Sequence, residues 1–290
     1  MFIKQFEFSD HSGPVYCITK HNNAIYSSGA DKFIVRWDLT NLKQDNFVIQ
    51  LEYSAYSMLH LSQDPLLVIG CSNGDLHIIN TKEKKEIKFI QHHKSAIFTI
   101  IEIPEKQLII TGDADGNVCI WNSSNLSLLL QIPLNSGKIR AIEYLNNELI
   151  IGCKDGKIRF FDLVFFNQIV EIPINTDGIQ AIKMTDKIAV IGGYDGYLYI
   201  LDAFSKNLIS RIPAHKGPIY SIIQLNEHNF VSASRDKSIK IWDSNSLNVL
   251  EKKEFKSGGH RNSVNHIVGL SENTFVSCSD DSQIIGWTKE

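Results

Sequence analysis

Four sets of side chains in this 290-residue chain have the types that chemistry uses. They are His11, Ser27, Asp31 and Trp37; His93, Thr111, Asp115 and Trp121; His215, Ser232, Asp236 and Trp242; and His260, Ser277, Asp281 and Trp287. A hydroxyl, an imidazole and a carboxylate could be a nucleophile, its base and the group that orients the base. The repetition argues against that use. A catalytic triad occurs once, with an exposed nucleophile and an oxyanion site, whereas this set occurs four times and always with a tryptophan. A buried indole N–H requires an acceptor, and the serine or threonine supplies one. The sets therefore read as structural and no catalytic residue is expected.

Other chemistry is weaker still. Asp113, Asp115 and Asn117 have the opening spacing of a calcium loop, but the downstream glutamate is missing. Gly112 to Gly116 is a hairpin turn and lacks the lysine of a phosphate-binding loop. His92-His93 reads as one member of a repeated set with a neighbour, not a metal pair. Five cysteines, Cys17, Cys71, Cys119, Cys153 and Cys278, stand in predicted strands without a CxxC pair. They read as reduced, buried thiols of a cytoplasmic protein. No metal and no cofactor is expected.

The elements that must position these side chains recur with them. Asn229 to Asp243, NFVSASRDKSIKIWD, is a β-prone run, a polar turn and a second run with period two, which is a hairpin. It returns at Ile25–Asp38, Leu108–Asn122 and Thr274–Thr288, with weaker copies ending at Ile79-Asn80, Phe161-Asp162 and Leu201-Asp202. Aligned on Trp37, Ile79, Trp121, Phe161, Leu201, Trp242 and Trp287, the copies are 42, 42, 40, 40, 41 and 45 residues apart. An apolar alternation precedes each hairpin, as in VYCI, IFTI and IYSI, and a short fourth strand follows it. Pro133, Pro173 and Pro213 end such fourth strands, where an outer edge tolerates a missing N–H. Each unit holds four strands and no helix.

RWD, IWN, IWD and GWT, together with the histidines of HSGPV, HKSAI, HKGPI and HRNSV, resemble the WD40 repeat family over the whole chain. The resemblance implies an all-β, seven-bladed β-propeller of four-stranded antiparallel blades, residues 1–290 forming a single domain. It implies that Phe2–Phe8 supplies the missing outer strand of the last blade and closes the ring. It also implies that each polar set is a buried hydrogen-bond chain, Trp to Ser or Thr to His to Asp, pinning the second hairpin turn to the loop before the first strand. Three units lack the set: Leu51, Ile69, Asn73 and Ile79; Asn135, Ile151, Asp155 and Phe161; Asn175, Ile191, Asp195 and Leu201. Apolar replacements at both ends leave no polar group stranded, and Asp155 and Asp195 are expected to cap Asp-Gly turns.

Function is then expected on the surface that changes from blade to blade. The residue after the leading apolar residue of each first strand lies, in the family's fold, at the mouth of the central channel. It reads Tyr16, Tyr56, Phe98, Arg140, Gln180, Tyr220 and Asn265. The residue before each turn Asp or Asn faces the same side and contributes Lys154, Tyr194 and Arg235; Lys138, Arg140 and Lys154 make a basic corner, with Tyr194 next to it and Arg235 further round. Aromatic and arginine side chains are what interface hot spots use. The expected function is a non-catalytic scaffold or adaptor, a monomeric propeller within a larger complex. It would bind a protein or peptide partner, with acidic residues opposite the cations, on the rim. Alternatives are a reader of a Lys or Arg side chain, a propeller enzyme, and a single-stranded nucleic-acid binder. The net charge of −3 disfavours the last, and 43% hydrophobic with 21% charged residues fits a globular protein without a membrane partner.

Overall fold

The structure is a computed structural model and describes residues 1–175 and 177–290. The seven repeats become seven four-stranded antiparallel sheets, each in sequential strand order except the last. The innermost strands are Val15–His21, Ala55–His60, Ile97–Ile103, Ile139–Leu145, Ile179–Met184, Ile219–Asn226 and Val264–Ser271. Each packs beside the innermost strand of the next blade, and the seventh packs beside the first, so the blades close into a ring.

The core lies between blades, not inside one. Between blades one and two, Tyr26, Ile34 and Phe47 meet Ala55, Leu67, Ile69 and Ile79. Between three and four, Ile110, Val118 and Ile120 meet Ile139, Leu149, Ile151 and Phe161. Full burial of one such side chain contributes roughly 1.5–3 kcal/mol. A sheet here is apolar on both faces because both faces are covered, which is why many strands read as nearly continuous Ile, Val and Leu.

Closure follows the expected route. Phe2–Phe8 pairs antiparallel with Ile284–Lys289 and becomes the outer strand of blade seven. Phe8 stacks on Trp37 of blade one with centroids 4.6 Å apart, and Phe2 packs on Phe275 of blade seven at 5.4 Å. The Phe2 N–H donates to both carboxylate oxygens of Glu251 in blade six, each at 3.0 Å. One strand therefore touches three blades. It also explains an unusual glycine: a Cβ on Gly286 would stand 2.2 Å from the Phe6 ring, where the other tryptophan-bearing units carry Arg36, Ile120 and Ile241.

Between blades one and two, at the far end of the inner strands, His21 and His60 stack with centroids 3.4 Å apart. His60 is buried, with Nδ1 against the Leu61 carbonyl at 3.0 Å and Nε2 against Thr81 Oγ1 at 3.2 Å. Burial pushes its pKa down to about 4, and burial also lowers His21. His215 and His266 are lowered by burial as well.

Two outcomes follow from this packing. Gly286→Ala should lower stability by roughly 1–3 kcal/mol in a denaturant titration, since the Phe6 ring must move out of the latch. Stability should also fall as pH drops from about 6.5 toward 4. In that window the unfolded chain binds protons on histidines that the folded chain keeps neutral, so the unfolded state gains. His60→Gln should flatten the pH dependence of the melting temperature in that interval, and an unchanged slope would contradict the account of His60.

Candidate functional site

The rim is built from the backbone outward. In every blade the pairing of the first and second strands slips near the start of the first strand: between Val15 and Cys17, Ala55 and Ser57, Ile97 and Thr99, Ile139 and Ala141, Ile179 and Ala181, Ile219 and Ser221, and Val264 and His266. The skipped residue is Tyr16, Tyr56, Phe98, Arg140, Gln180, Tyr220 or Asn265. A β-bulge leaves one residue unpaired and re-aims its side chain. The seven bulges turn seven side chains into the channel, and all seven line a cavity of about 690 Å³ on the propeller axis.

A second backbone feature fixes the height of the rim. The N–H of the residue before each hairpin turn donates to the carbonyl just ahead of the first strand. The pairs are Ala30 to Pro14, Ser72 to Ser54, Ala114 to Ala96, Lys154 to Lys138, Tyr194 to Gly178, Arg235 to Pro218 and Asp280 to Ser263, all at 2.8–3.0 Å. All seven blades have this bond, including the three without the polar set.

In blades one, six and seven a hydrogen-bond chain through the polar set adds to it. Trp37 Nε1 donates to Ser27 Oγ at 2.7 Å, Ser27 Oγ meets His11 Nε2 at 2.7 Å, and His11 Nδ1 meets Asp31 Oδ2 at 2.7 Å. The indole N–H occupies the hydroxyl's acceptor side, so the hydroxyl proton goes to Nε2 and Nδ1 carries the imidazole proton. Trp242, Ser232, His215 and Asp236 repeat the chain, as do Trp287, Ser277, His260 and Asp281. The hydroxyls are fully buried, so no nucleophile is presented to solvent.

Blade three departs from the expectation. The partner of His93 Nδ1 is Asp113 Oδ2 at 2.7 Å, not Asp115. Asp113 stands at the end of the second strand, where blades six and seven carry Ser234 and Ser279. From there its carboxylate reaches both the histidine and the turn, accepting from Asp115 N at 3.0 Å, Asn117 N at 2.8 Å and Asn117 Nδ2 at 3.0 Å. Asp115 is left on the turn, exposed to solvent. The calcium-like spacing of Asp113, Asp115 and Asn117 is thus taken up by protein donors. His92 points to Gln131 Oε1 at 2.9 Å. Among the described residues no cluster of three or more His, Cys, Asp or Glu side chains could hold a metal.

Blades four and five anchor their aspartates differently. Asp155 caps its turn through Lys157 N at 3.2 Å and also holds Arg159 at 2.6 Å, which in turn pairs with Glu171 at 2.8 Å. Asp195 accepts from Tyr199 Oη at 2.5 Å, and the Asp195 carboxylate helps burial hold that phenol up at about 12. All five cysteines are buried free thiols, and burial pushes Cys71 and Cys119 up to about 12.

Six of the seven rim side chains, from Tyr16 to Tyr220, form a contact series. Tyr16 meets Tyr56 edge-on at 5.1 Å, and Tyr56 stacks on Phe98 at 5.4 Å. The Arg140 guanidinium lies 4.4 Å from the Phe98 centroid and 5.5 Å from that of Tyr220, two blades away. Its Nη1 donates to Gln180 Oε1 at 3.3 Å. Asn265 Nδ2 donates to the Val15 carbonyl and to Asp280 Oδ1, both at 2.8 Å. Lys138 and Arg235 line the same mouth; Lys154 and Tyr194 lie outside the lining, exposed on the loops around it. Burial raises the phenols of Tyr16 and Tyr220 and lowers the Arg140 guanidinium.

Two features were not singled out from the sequence. Glu143 and Lys183 form an ion pair across blades four and five, at 3.1 Å, deeper in the channel. They stand at equivalent repeat positions 40 residues apart with opposite charge, a signal that the alignment contained. On the face opposite the rim, Val164, Phe165 and Phe204 are exposed on neighbouring turns of the same two blades.

Blade three offers a direct test of which aspartate carries the set. Asp113→Ala should lower stability by about 1–3 kcal/mol, because it strands His93 and the turn amides. Asp115→Ala should change it by less than about 0.5 kcal/mol. Equal effects in thermal unfolding would contradict the reassignment.

The comparisons with known proteins agree with this architecture. The family described as WD domain, G-beta repeat matches residues 3–38, 84–122 and 206–243. DmX-like protein 1 of Mus musculus is 33% identical over 64 residues, which is 22% of this chain and 2% of that protein. The matched stretch is thus a small part of a far longer relative. The crystal structure of the computationally designed Ika8 protein superposes with a TM-score of 0.76 at 18% identity, covering 99% of this chain and 100% of the designed one, which speaks to fold alone. No helix among the described residues is long and apolar enough to cross a membrane. Propellers of this repeat family generally serve as protein-interaction scaffolds, and with repeat matches in three segments and seven four-stranded blades around one axis this chain is a seven-bladed β-propeller carrying WD40 repeats.

Proposed function

We propose that the protein is a non-catalytic interaction scaffold that docks a protein or peptide partner on the channel rim. The observation that carries this reading is the row of seven bulges. Each blade gives up a ladder position to aim one side chain into the mouth, and the side chains so aimed are mostly aromatic or cationic. Aromatic and arginine anchors in a partly enclosed site are what concentrates binding energy at interfaces. The polar sets, which resemble catalytic groups most, have their hydroxyls, imidazoles and indoles committed within the fold.

The basic corner of Lys138, Arg140, Lys154 and Arg235 favours a partner segment with acidic residues. A reader of a cationic side chain is less well supported. The slot between Phe98 and Tyr220 already holds Arg140, so a second cation would meet like charge. Five reduced, buried thiols fit a cytoplasmic site of action, and a propeller of this size fits a role as one subunit of a larger complex.

Two rim variants test the reading. Arg140→Glu combined with Tyr220→Ala, and separately Tyr16→Ala combined with Tyr56→Ala, should each abolish capture of partners by the tagged protein. Both should keep the circular dichroism spectrum of the parent and a similar melting temperature. Undiminished capture by both folded variants would sink the proposal.

A further inference from the structure

We propose that Arg140 seats a carboxylate that enters the channel from the rim, which rests on the reading of that face as the docking surface. The charge balance of the mouth points there. Three cations line it, Lys138, Arg140 and Arg235, and among the described residues none is in an ion pair. Two acids line the cavity. Glu143 is held by Lys183, at 3.1 Å and 3.2 Å. Asp280 is turned aside onto Asn265.

Arg140 is placed as a receptor group would be. Its guanidinium is gripped by the ring faces of Phe98 and Tyr220, which fix its plane and supply part of the stabilisation that water would otherwise give. One N–H is spent on Gln180, and the fork has others to offer. A planar carboxylate matches that fork with two parallel hydrogen bonds, a geometry a lysine cannot reproduce. Lys138, 5.5 Å from the Phe98 centroid, adds a second positive charge beside it.

Below the mouth six blades present small side chains, Cys17, Ser57, Thr99, Ala141, Ala181 and Ser221, and the seventh presents His266. They leave the cavity of about 690 Å³, within the range of sites that enclose small organic ligands. Room for a side chain or a small acid therefore lies directly under the unpaired guanidinium. The carboxylate can come from an acidic side chain of a docked segment or from a free dicarboxylic acid; the chemistry at Arg140 is the same.

Calorimetric titration of the full chain distinguishes these sources. The probes are an acetylated and amidated Gly-Glu-Glu-Gly-Glu-Glu-Gly peptide, its glutamine counterpart, and free glutarate. Wild type should bind the glutamate peptide or glutarate at least tenfold more tightly than the glutamine peptide, and less tightly as salt rises. Arg140→Gln should lose at least tenfold, Arg140→Lys should keep part of the affinity, and Lys187→Gln, on the far face, should match wild type. Binding of glutarate alone assigns the site to a free acid; binding of the peptide alone assigns it to a docked segment. Wild type that binds neither probe, or folded Arg140→Gln that binds as wild type does, overturns the inference. If partners are captured through the rim but no carboxylate binds, only this subsite falls. If carboxylates bind through Arg140 but the rim variants keep their partners, only the docking role falls.

Discussion

One main-chain hydrogen bond recurs in all seven blades, and the rest of the structure depends on it. The N–H ahead of the hairpin turn reaches back to the carbonyl ahead of the first strand. It ties the two loops that form the upper face and sets where the first strand enters the sheet. Immediately after that entry the pairing slips by one residue, and the residue left over faces the axis. The His–Asp sets reinforce this joint in four blades, but blades two, four and five keep it with no such set. The polar sets are therefore reinforcement of a connection the backbone already makes. Their buried hydroxyls and committed carboxylates follow from that role.

The same constraint separates packing positions from unconstrained ones along the sequence. Residues pointing between blades are apolar, mostly Ile, Val, Leu and aromatic, because both faces of each sheet are covered. Bulged residues escape that requirement and can differ freely, which is how Tyr56, Arg140 and Asn265 occupy equivalent positions. Closure obeys a packing limit of its own. The latch strand inserts Phe6 over Gly286, Phe8 over Trp37 and Phe2 over Phe275, so the ring is joined by aromatic side chains as well as by ladder bonds.

Much of this was legible in the chain. The 40–45-residue period, the Trp anchors and the alternation of Phe2–Phe8 gave blade number, blade composition and the closing strand, because each is a repeated local pattern. The aspartate of blade three was not legible. Asp115 has the sequence position of Asp31, Asp236 and Asp281, yet Asp113 takes the histidine, because a carboxylate on the strand end can serve both the imidazole and the Asn117 amide. The bulges were not legible either, since a bulge is a property of how two strands pair and leaves no mark in one strand. Arg140 could be placed at the mouth by counting, but its position between Phe98 and Tyr220 depends on a residue two blades away. Likewise, nothing local in Asp280 shows that it turns to Asn265.

The central claim is that the bulged rim acts and the polar sets hold. Hydrogen–deuterium exchange on the full chain, free and bound to a captured partner, tests it most directly. The account predicts new protection in the segments that carry the rim, around Tyr16, Tyr56, Phe98, Arg140 and Tyr220, with the outer strands unchanged. New protection confined to the outer strands, or to the opposite face around Phe165 and Phe204, would contradict it.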